Sequence, residues 1–127
     1  MPARSSPQPL EDAEQCISAD ITLTRAFDLL GKRWTGVLLA TLRGDSAVGF
    51  RVLSRAIPGI SDSVLSDRLS ELAGAGVVVR SVKEGPPVSV SYALTEAGEA
   101  LLPALEQIGR WADIHLPAQP SPSGPGK

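Results

Sequence analysis

The sequence has little of the two residue types that most often build catalytic and metal sites. Its 127 residues include one cysteine, Cys16, and one histidine, His115, far apart in the chain. A single cysteine excludes an intramolecular disulfide framework and is typical of a reducing compartment. A metal site of protein ligands or a nucleophile–base pair has little to build on. We therefore expect no enzyme activity, no metal and no cofactor.

Long apolar runs are also missing. No run approaches the roughly 18 residues that a membrane span requires, and the first ten residues lack the basic-then-apolar layout of a secretory signal. These features predict a cytoplasmic protein without membrane contact. Aromatic residues make up only 4% of the chain against 43% for all hydrophobic residues, so we expect a core of mainly Leu, Val, Ile and Ala.

The two ends of the chain are rich in proline. Residues 2–9 and 117–127 hold seven of the eleven prolines, together with Ser, Gln and Gly. Neither stretch can bury a useful apolar face. We predict a disordered tail over residues 1–18, one folded domain over residues 19–116 and a second disordered tail over residues 117–127.

Between the tails, apolar spacing and turn residues predict an ordered series of elements. Helices are expected over about residues 21–30, 34–42, 50–57 and 62–73, and Thr95 is expected to cap a last helix. A Pro-Gly turn separates the third and fourth helices, and Ser61 can cap the fourth. Two β-rich runs around a Gly-Pro-Pro turn predict a hairpin within residues 77–92. The order is typical of a helix-turn-helix followed by a wing, so the expected fold class is mainly α with a small β-hairpin wing.

Charge is distributed unevenly along the chain. The formal net charge is −2, yet residues 32–83 hold eight Lys or Arg against four Asp or Glu, and both flanking regions are acidic. A basic middle fits the electrostatic footprint of a polyanion-binding surface. Chance clustering of charges on a solvated surface would give the same count, so this alternative stays open.

The fourth predicted helix is the candidate DNA-reading element. If its leucines face the core, the opposite face presents short hydroxyls, which can approach bases and phosphates, and Arg68, which can pair with guanine or phosphate. The DNA-contact candidates are Ser61, Ser63, Ser66, Asp67 and Arg68 there, Arg51 and Arg55 before it, Arg80 and Lys83 on the wing, and Lys32 and Arg33 before the second helix. Asp62 and Asp67 argue against DNA, since a carboxylate repels phosphate unless it caps the helix or accepts from cytosine. A solvated face of a protein-interaction module is the alternative.

Several sequence blocks, in order and near the family spacing, resemble the HxlR-type family of bacterial winged-helix regulators. The blocks are AFDLLGKRW at 26–34, Phe50 with Leu53, PGIS at 58–61, LSDRLSEL at 65–72 and YALTEAG at 92–98. The resemblance covers nearly all of the predicted domain. It implies a homodimer on a palindromic or pseudo-palindromic promoter site, with the fourth helix in the major groove and the wing along the adjacent minor groove.

The resemblance also implies that terminal helices form the dimer. Apolar residues available for that interface are Leu23, Phe27, Leu105, Ile108, Trp111 and Ala112. A dimer bound at a promoter can repress by occlusion without further parts, so we expect a repressor acting on double-stranded DNA.

Cys16 is a candidate redox sensor. The family often carries a cysteine near the start of its first helix, and in some members that thiol senses oxidants, quinones or aldehydes. Here that position falls on or next to Asp20, and Cys16 lies about one helical turn earlier. If the first helix extends back to Cys16, the thiol lies one turn before the expected cysteine position on the same side of the helix. Nearby carboxylates such as Glu14, in contrast, disfavour formation of the reactive thiolate. A sensor and an inert cysteine both stay open, as does the identity of any oxidant or small-molecule effector.

Overall fold

The computed structural model describes residues 9–44 and 46–118. Its elements are α1 (Pro9–Leu30), α2 (Thr35–Thr41), β1 (Val48–Gly49), α3 (Phe50–Ala56), α4 (Asp62–Gly74), β2 (Val78–Lys83), β3 (Ser89–Leu94) and α5 (Glu96–His115). The predicted fold class, mainly α with a small hairpin wing, is confirmed. The chain divides into two compact units, the first ending at Lys32 and the second starting at Arg33. Across the described ranges, no helix combines the length and the apolar character of a membrane span.

The first unit contains α1, which is longer than the sequence predicted. The helix begins at Pro9, so the expected start at residue 21 is wrong, and residues 9–18 of the predicted disordered tail are helical. This segment has no apolar stripe for a periodicity search to find, but Leu, Glu, Ala and Gln are good helix formers and proline suits a first helical position. Residues 1–8 and 119–127 of the two predicted tails lie outside the described residues.

The core of the second unit is built on leucine. Leu65, Leu69 and Leu72 of α4 are at most 1% exposed, which confirms the predicted inward stripe. They share the core with fully buried leucines of α2 and α3 and with Val78 and Leu94 of the hairpin. Each such side chain contributes roughly 1.5–3 kcal/mol through burial. The packing therefore fixes which face of α4 remains exposed.

The strands form one antiparallel sheet in the order β1-β3-β2. β2 and β3 are in register from Val78 opposite Leu94 to Lys83 opposite Ser89, which is the predicted wing, with β3 ending two residues later than expected. β1 was not predicted. A two-residue strand is too short to show any periodicity, and it is defined only by its pairing with β3.

Local capping holds the ends of the last two helices. α4 ends at Gly74, and Gly76, with a φ of 80°, lies two residues beyond its end. Thr95 caps α5: its Oγ1 accepts from the Gly98 backbone N–H (3.2 Å) and donates to the Gly76 carbonyl oxygen (2.6 Å). One hydroxyl therefore joins the end of α4 to the start of α5.

Candidate nucleic-acid interface

The exposed face of α4 is a row of small polar side chains. Ser61 lies before the helix with extended backbone, and its Oγ accepts from the Val64 backbone N–H at 3.1 Å, so the predicted cap is confirmed. Ser63, Ser66, Asp67 and Ser70 are exposed. Their three- and four-residue spacing places them on one helix face. With no bulky side chain among them, another molecule can approach the helix backbone closely.

Asp62 joins α3 to the start of α4. Arg51 Nη1 donates to Asp62 Oδ2 and Ser54 Oγ donates to Asp62 Oδ1, both at 3.0 Å. The Arg51 and Asp62 side chains are 73% and 57% exposed, so the pair stabilises the fold by under about 1 kcal/mol. Its effect is to neutralise a carboxylate at the helix N-terminus, where negative charge is also favoured by the helix dipole. Asp62 therefore argues less strongly against DNA than the sequence indicated.

Arg68 points back toward its own fold. Its Nε donates to the Arg33 carbonyl oxygen at 3.2 Å, and its Nη1 lies 3.3 Å from Glu71 Oε2. The side chain is only 19% exposed. Direct DNA contact by Arg68 stays a prediction, and in this conformation two of its three guanidinium nitrogens, Nε and Nη1, already have partners within the fold. Sequence reasoning missed Glu71, although the three-residue spacing on one helix was a readable signal.

The residues around Trp34 connect the start of α2 to the helix-turn-helix. Trp34 has a left-handed backbone with a φ of 80°, and the Arg33 guanidinium carbon lies 4.7 Å from its ring centroid. A Cβ added at Gly59, in the turn before α4, would lie 3.4 Å from Trp34 Cη2. Trp34 is therefore a packing residue, and Arg33 is exposed but stacked on it.

The other predicted cations lie on exposed surface. Arg55 is in the last turn of α3, and Arg80 and Lys83 are on β2 opposite Tyr92 and Ser89. Among the side chains that the structure describes, those of residues 20–44 and 46–118, no ion-pair partner is found for these three. Lys32 is exposed at the end of the first unit. The second unit therefore carries, on α3, α4 and the hairpin, an arrangement of cations and hydroxyls suited to a polyanion.

The predicted dimer residues are exposed or half-buried. On α1, Leu23 and Phe27 are 56% and 51% exposed. On α5, Ile108 and Trp111 are 47% and 54% exposed, while Leu105 and Ala112 are half-buried. Sequence reasoning missed the exposed Ile21 and Ile114 on the same two helices. Each helix thus presents apolar surface that a partner could cover.

The backbone of Cys16 lies within α1, which also contains Asp20. The helix extended backwards, on which the sensor hypothesis depends, is therefore present. Whether Cys16 is a sensor stays a prediction.

A capped helix, a preceding helix across a Pro-Gly turn and a following hairpin define a winged helix-turn-helix protein. The HxlR-like helix-turn-helix family model matches residues 29–120, and the chain belongs to this family. Cys16 lies before the matched residues.

Known relatives agree with this assignment. The HTH-type transcriptional regulators YvaP and YodB of Bacillus subtilis are each 42% identical over 88 residues, which is 69% of this chain and 81% and 78% of theirs. The structure of reduced YodB matches with a TM-score of 0.67 and 39% identity, covering 75% of this chain and 92% of that one. The redox regulator HypR in its oxidised form matches with a TM-score of 0.69 and 30% identity, covering 76% and 99%. The protein is a DNA-binding transcriptional regulator.

Proposed function

We propose that the protein is a homodimeric repressor that binds a palindromic promoter site through α4 and the wing. The observation that carries the proposal is the exposed hydroxyl face of α4, together with exposed cations on the neighbouring elements: Arg55 on α3, and Arg80 and Lys83 on the wing. Short hydroxyls can read base edges at close range, and surrounding cations neutralise phosphates.

The residues divide into three roles in this proposal. Ser63, Ser66 and Asp67 face the bases of the major groove, with Asp67 accepting from the cytosine amino group. The phosphate contacts are Ser61, Arg51, Arg55, Arg80, Lys83, Lys32 and Arg33. Arg68 remains a candidate DNA contact, and its bond to the Arg33 carbonyl oxygen also helps to hold α4 in place.

Dimerisation follows from the apolar surface of the terminal helices. Exposed apolar side chains are costly to leave in water. Here they are Ile108, Trp111 and Ile114 on α5 and Leu23 and Phe27 on α1. A two-fold dimer would cover the apolar face of each of these helices in both copies. It presents two copies of α4, which requires half-sites roughly 34–36 Å apart, or a multiple of that. Such a dimer would exclude polymerase from a promoter without further parts.

A salt series on DNA tests this function. A random-sequence duplex pool should yield a palindromic consensus, and the logarithm of affinity for it should fall linearly with the logarithm of salt concentration. Arg55→Gln and Lys83→Gln should each reduce that slope by about one phosphate contact. Arg110→Gln, at an exposed position on α5, is the matched control and should leave the slope unchanged. Salt-independent or absent binding would instead favour the protein-interaction module.

A second candidate is the same regulator with Cys16 as its redox switch. Structures of YodB are known in reduced, diamide-treated and quinone-bound forms, and HypR is described as a redox regulator. Diamide should release the wild-type protein from its consensus DNA and leave Cys16→Ser bound. Release of both proteins to the same extent would exclude this switch.

A further inference from the structure

An open groove of about 460 Å³ lies where the hairpin meets the helix-turn-helix. Cross-strand partners share one face of the hairpin, and on this face Val78 and Leu94 are buried in the core. Further along the same face come Arg80 opposite Tyr92, and then Val90. Arg80, Tyr92 and Val90 all line the groove; Tyr92 is buried, whereas Arg80 is exposed.

Most of the groove wall is apolar and accessible. Phe50 and Val52 at the start of α3 line it together with Val88 and Val90 of the hairpin. Val52 is 52% exposed and Val88 is 66% exposed. A volume of this size is within the roughly 300–1,000 Å³ in which proteins hold small organic ligands. Contact with an apolar ligand would remove the exposed valine side chains from water, which is energetically favourable.

The charged side chains that line the groove are both positive. They are Arg51 and Arg80, and among the residues that the structure describes no carboxylate lines the groove. Arg51 is paired with Asp62, whereas Arg80 has no ion-pair partner among the described residues. A DNA phosphate could pair with Arg80 but would make no contact with the apolar wall. An anionic group on a flat apolar molecule could pair with Arg80 while the rest of the molecule contacts that wall.

We propose that this groove binds a small aromatic carboxylate, with its carboxylate on Arg80 and its ring between the valines. Ser66 of α4 also lines the groove, so a bound ligand occupies space beside the DNA-reading face. In this respect the inference rests on the proposed function: the ligand would compete with operator DNA. Binding of the ligand itself does not depend on DNA.

Titration calorimetry of the full chain with 2-naphthoate, without DNA, tests the site. Saturable binding is expected, and the uncharged isostere 2-naphthylmethanol should bind at least about tenfold more weakly because it lacks the charge-assisted bond. Arg80→Gln should weaken naphthoate binding by about the same factor. Lys83→Gln is the matched control, a cation on the same strand outside the groove lining, and should bind as wild type does.

A second variant makes the test independent of Arg80. Val88→Asp places a carboxylate at an exposed groove position without touching the core, and it should also abolish naphthoate binding. Absence of saturable binding, equal affinity for the alcohol, or unchanged affinity in Arg80→Gln or Val88→Asp would overturn the proposal. Circular dichroism should show the same helix content in all four proteins.

The regulatory part is measured separately by fluorescence anisotropy with consensus DNA. Naphthoate should raise the apparent Kd for DNA in wild type and Lys83→Gln in proportion to site occupancy, and should leave it unchanged in Arg80→Gln. A Kd for DNA that does not respond to saturating naphthoate would overturn the competition. Failure to bind DNA without naphthoate would contradict the proposed function and leave the calorimetric result intact.

Discussion

Arg68 Nε donates a hydrogen bond of 3.2 Å to the carbonyl oxygen of Arg33, 35 residues earlier in the chain. The bond joins the middle of α4 to the residue just before Trp34, whose φ of 80° is unfavourable for a residue with a Cβ by roughly 1–2 kcal/mol. The surrounding contacts, including Arg68, therefore have to hold this backbone in place. The position of α4 and the conformation of Trp34 depend on each other.

Replacement of Arg68 should first affect stability. Arg68→Ala removes a donor from the Arg33 carbonyl and a partner from Glu71, so the free energy of unfolding should fall by about 1–2 kcal/mol. Arg55→Ala, an exposed arginine on α3, should change it by less than about 0.5 kcal/mol. Urea denaturation measures both. If Arg68→Ala kept full stability and lost DNA affinity, Arg68 would be a direct DNA contact.

Two glycines of α5 should respond oppositely to alanine. A Cβ at buried Gly98 would overlap the Val77 carbonyl oxygen and press on Leu94, whereas one at exposed Gly109 meets nothing within 4 Å. Gly98→Ala should therefore destabilise the protein by about 1–3 kcal/mol or more. Gly109→Ala should stabilise it by about 0.5–1 kcal/mol through helix propensity. Equal thermal midpoints for the two variants would contradict this packing.

Thr35 carries a buried hydroxyl whose Oγ1 has no hydrogen-bond partner among the described residues. Thr35→Val keeps the shape and removes the unsatisfied group, so stability should rise by about 1 kcal/mol. Thr41 on the same helix is the control, since its Oγ1 donates to the Val37 carbonyl oxygen at 2.8 Å. Thr41→Val should give no gain. A loss of stability in Thr35→Val, measured by denaturant unfolding, would show that the hydroxyl has a partner in solution.

Neutralising Asp62 should strengthen non-specific DNA binding. Asp62→Asn removes a carboxylate beside the proposed DNA face and releases Arg51 from its ion pair. We expect higher affinity for random duplex DNA at low salt and a steeper salt dependence by about one phosphate contact. Glu106→Gln on α5 changes the net charge equally and should have no such effect. A fall in affinity for Asp62→Asn with unchanged stability would mean that the Asp62 carboxylate itself takes part in binding.

Local signals predicted much of this fold. The leucine stripe of α4 and the caps Ser61 and Thr95 are confirmed because each depends on residues three or four positions apart. The first half of α1 was missed because it has helix-forming residues but no apolar period.

The contacts that complete the site were beyond sequence reasoning for a different reason. Arg68 and Arg33 meet only because α4 packs beside the start of α2, and a long arginine can reach either solvent or a backbone carbonyl. The groove at Arg80 likewise depends on the distance between α3 and the hairpin. Neither distance is encoded in a local pattern.

β1 has a mechanical consequence. Val48 and Gly49 pair with Tyr92 and Ser91 in the central strand, and Gly49 leads directly into α3. A displacement of the hairpin along its length must either break this pairing or carry the first turn of α3 with it. The wing and α3 are therefore mechanically coupled. In the proposed DNA complex, a change in minor-groove width at the wing would therefore also shift α3, the helix that precedes α4.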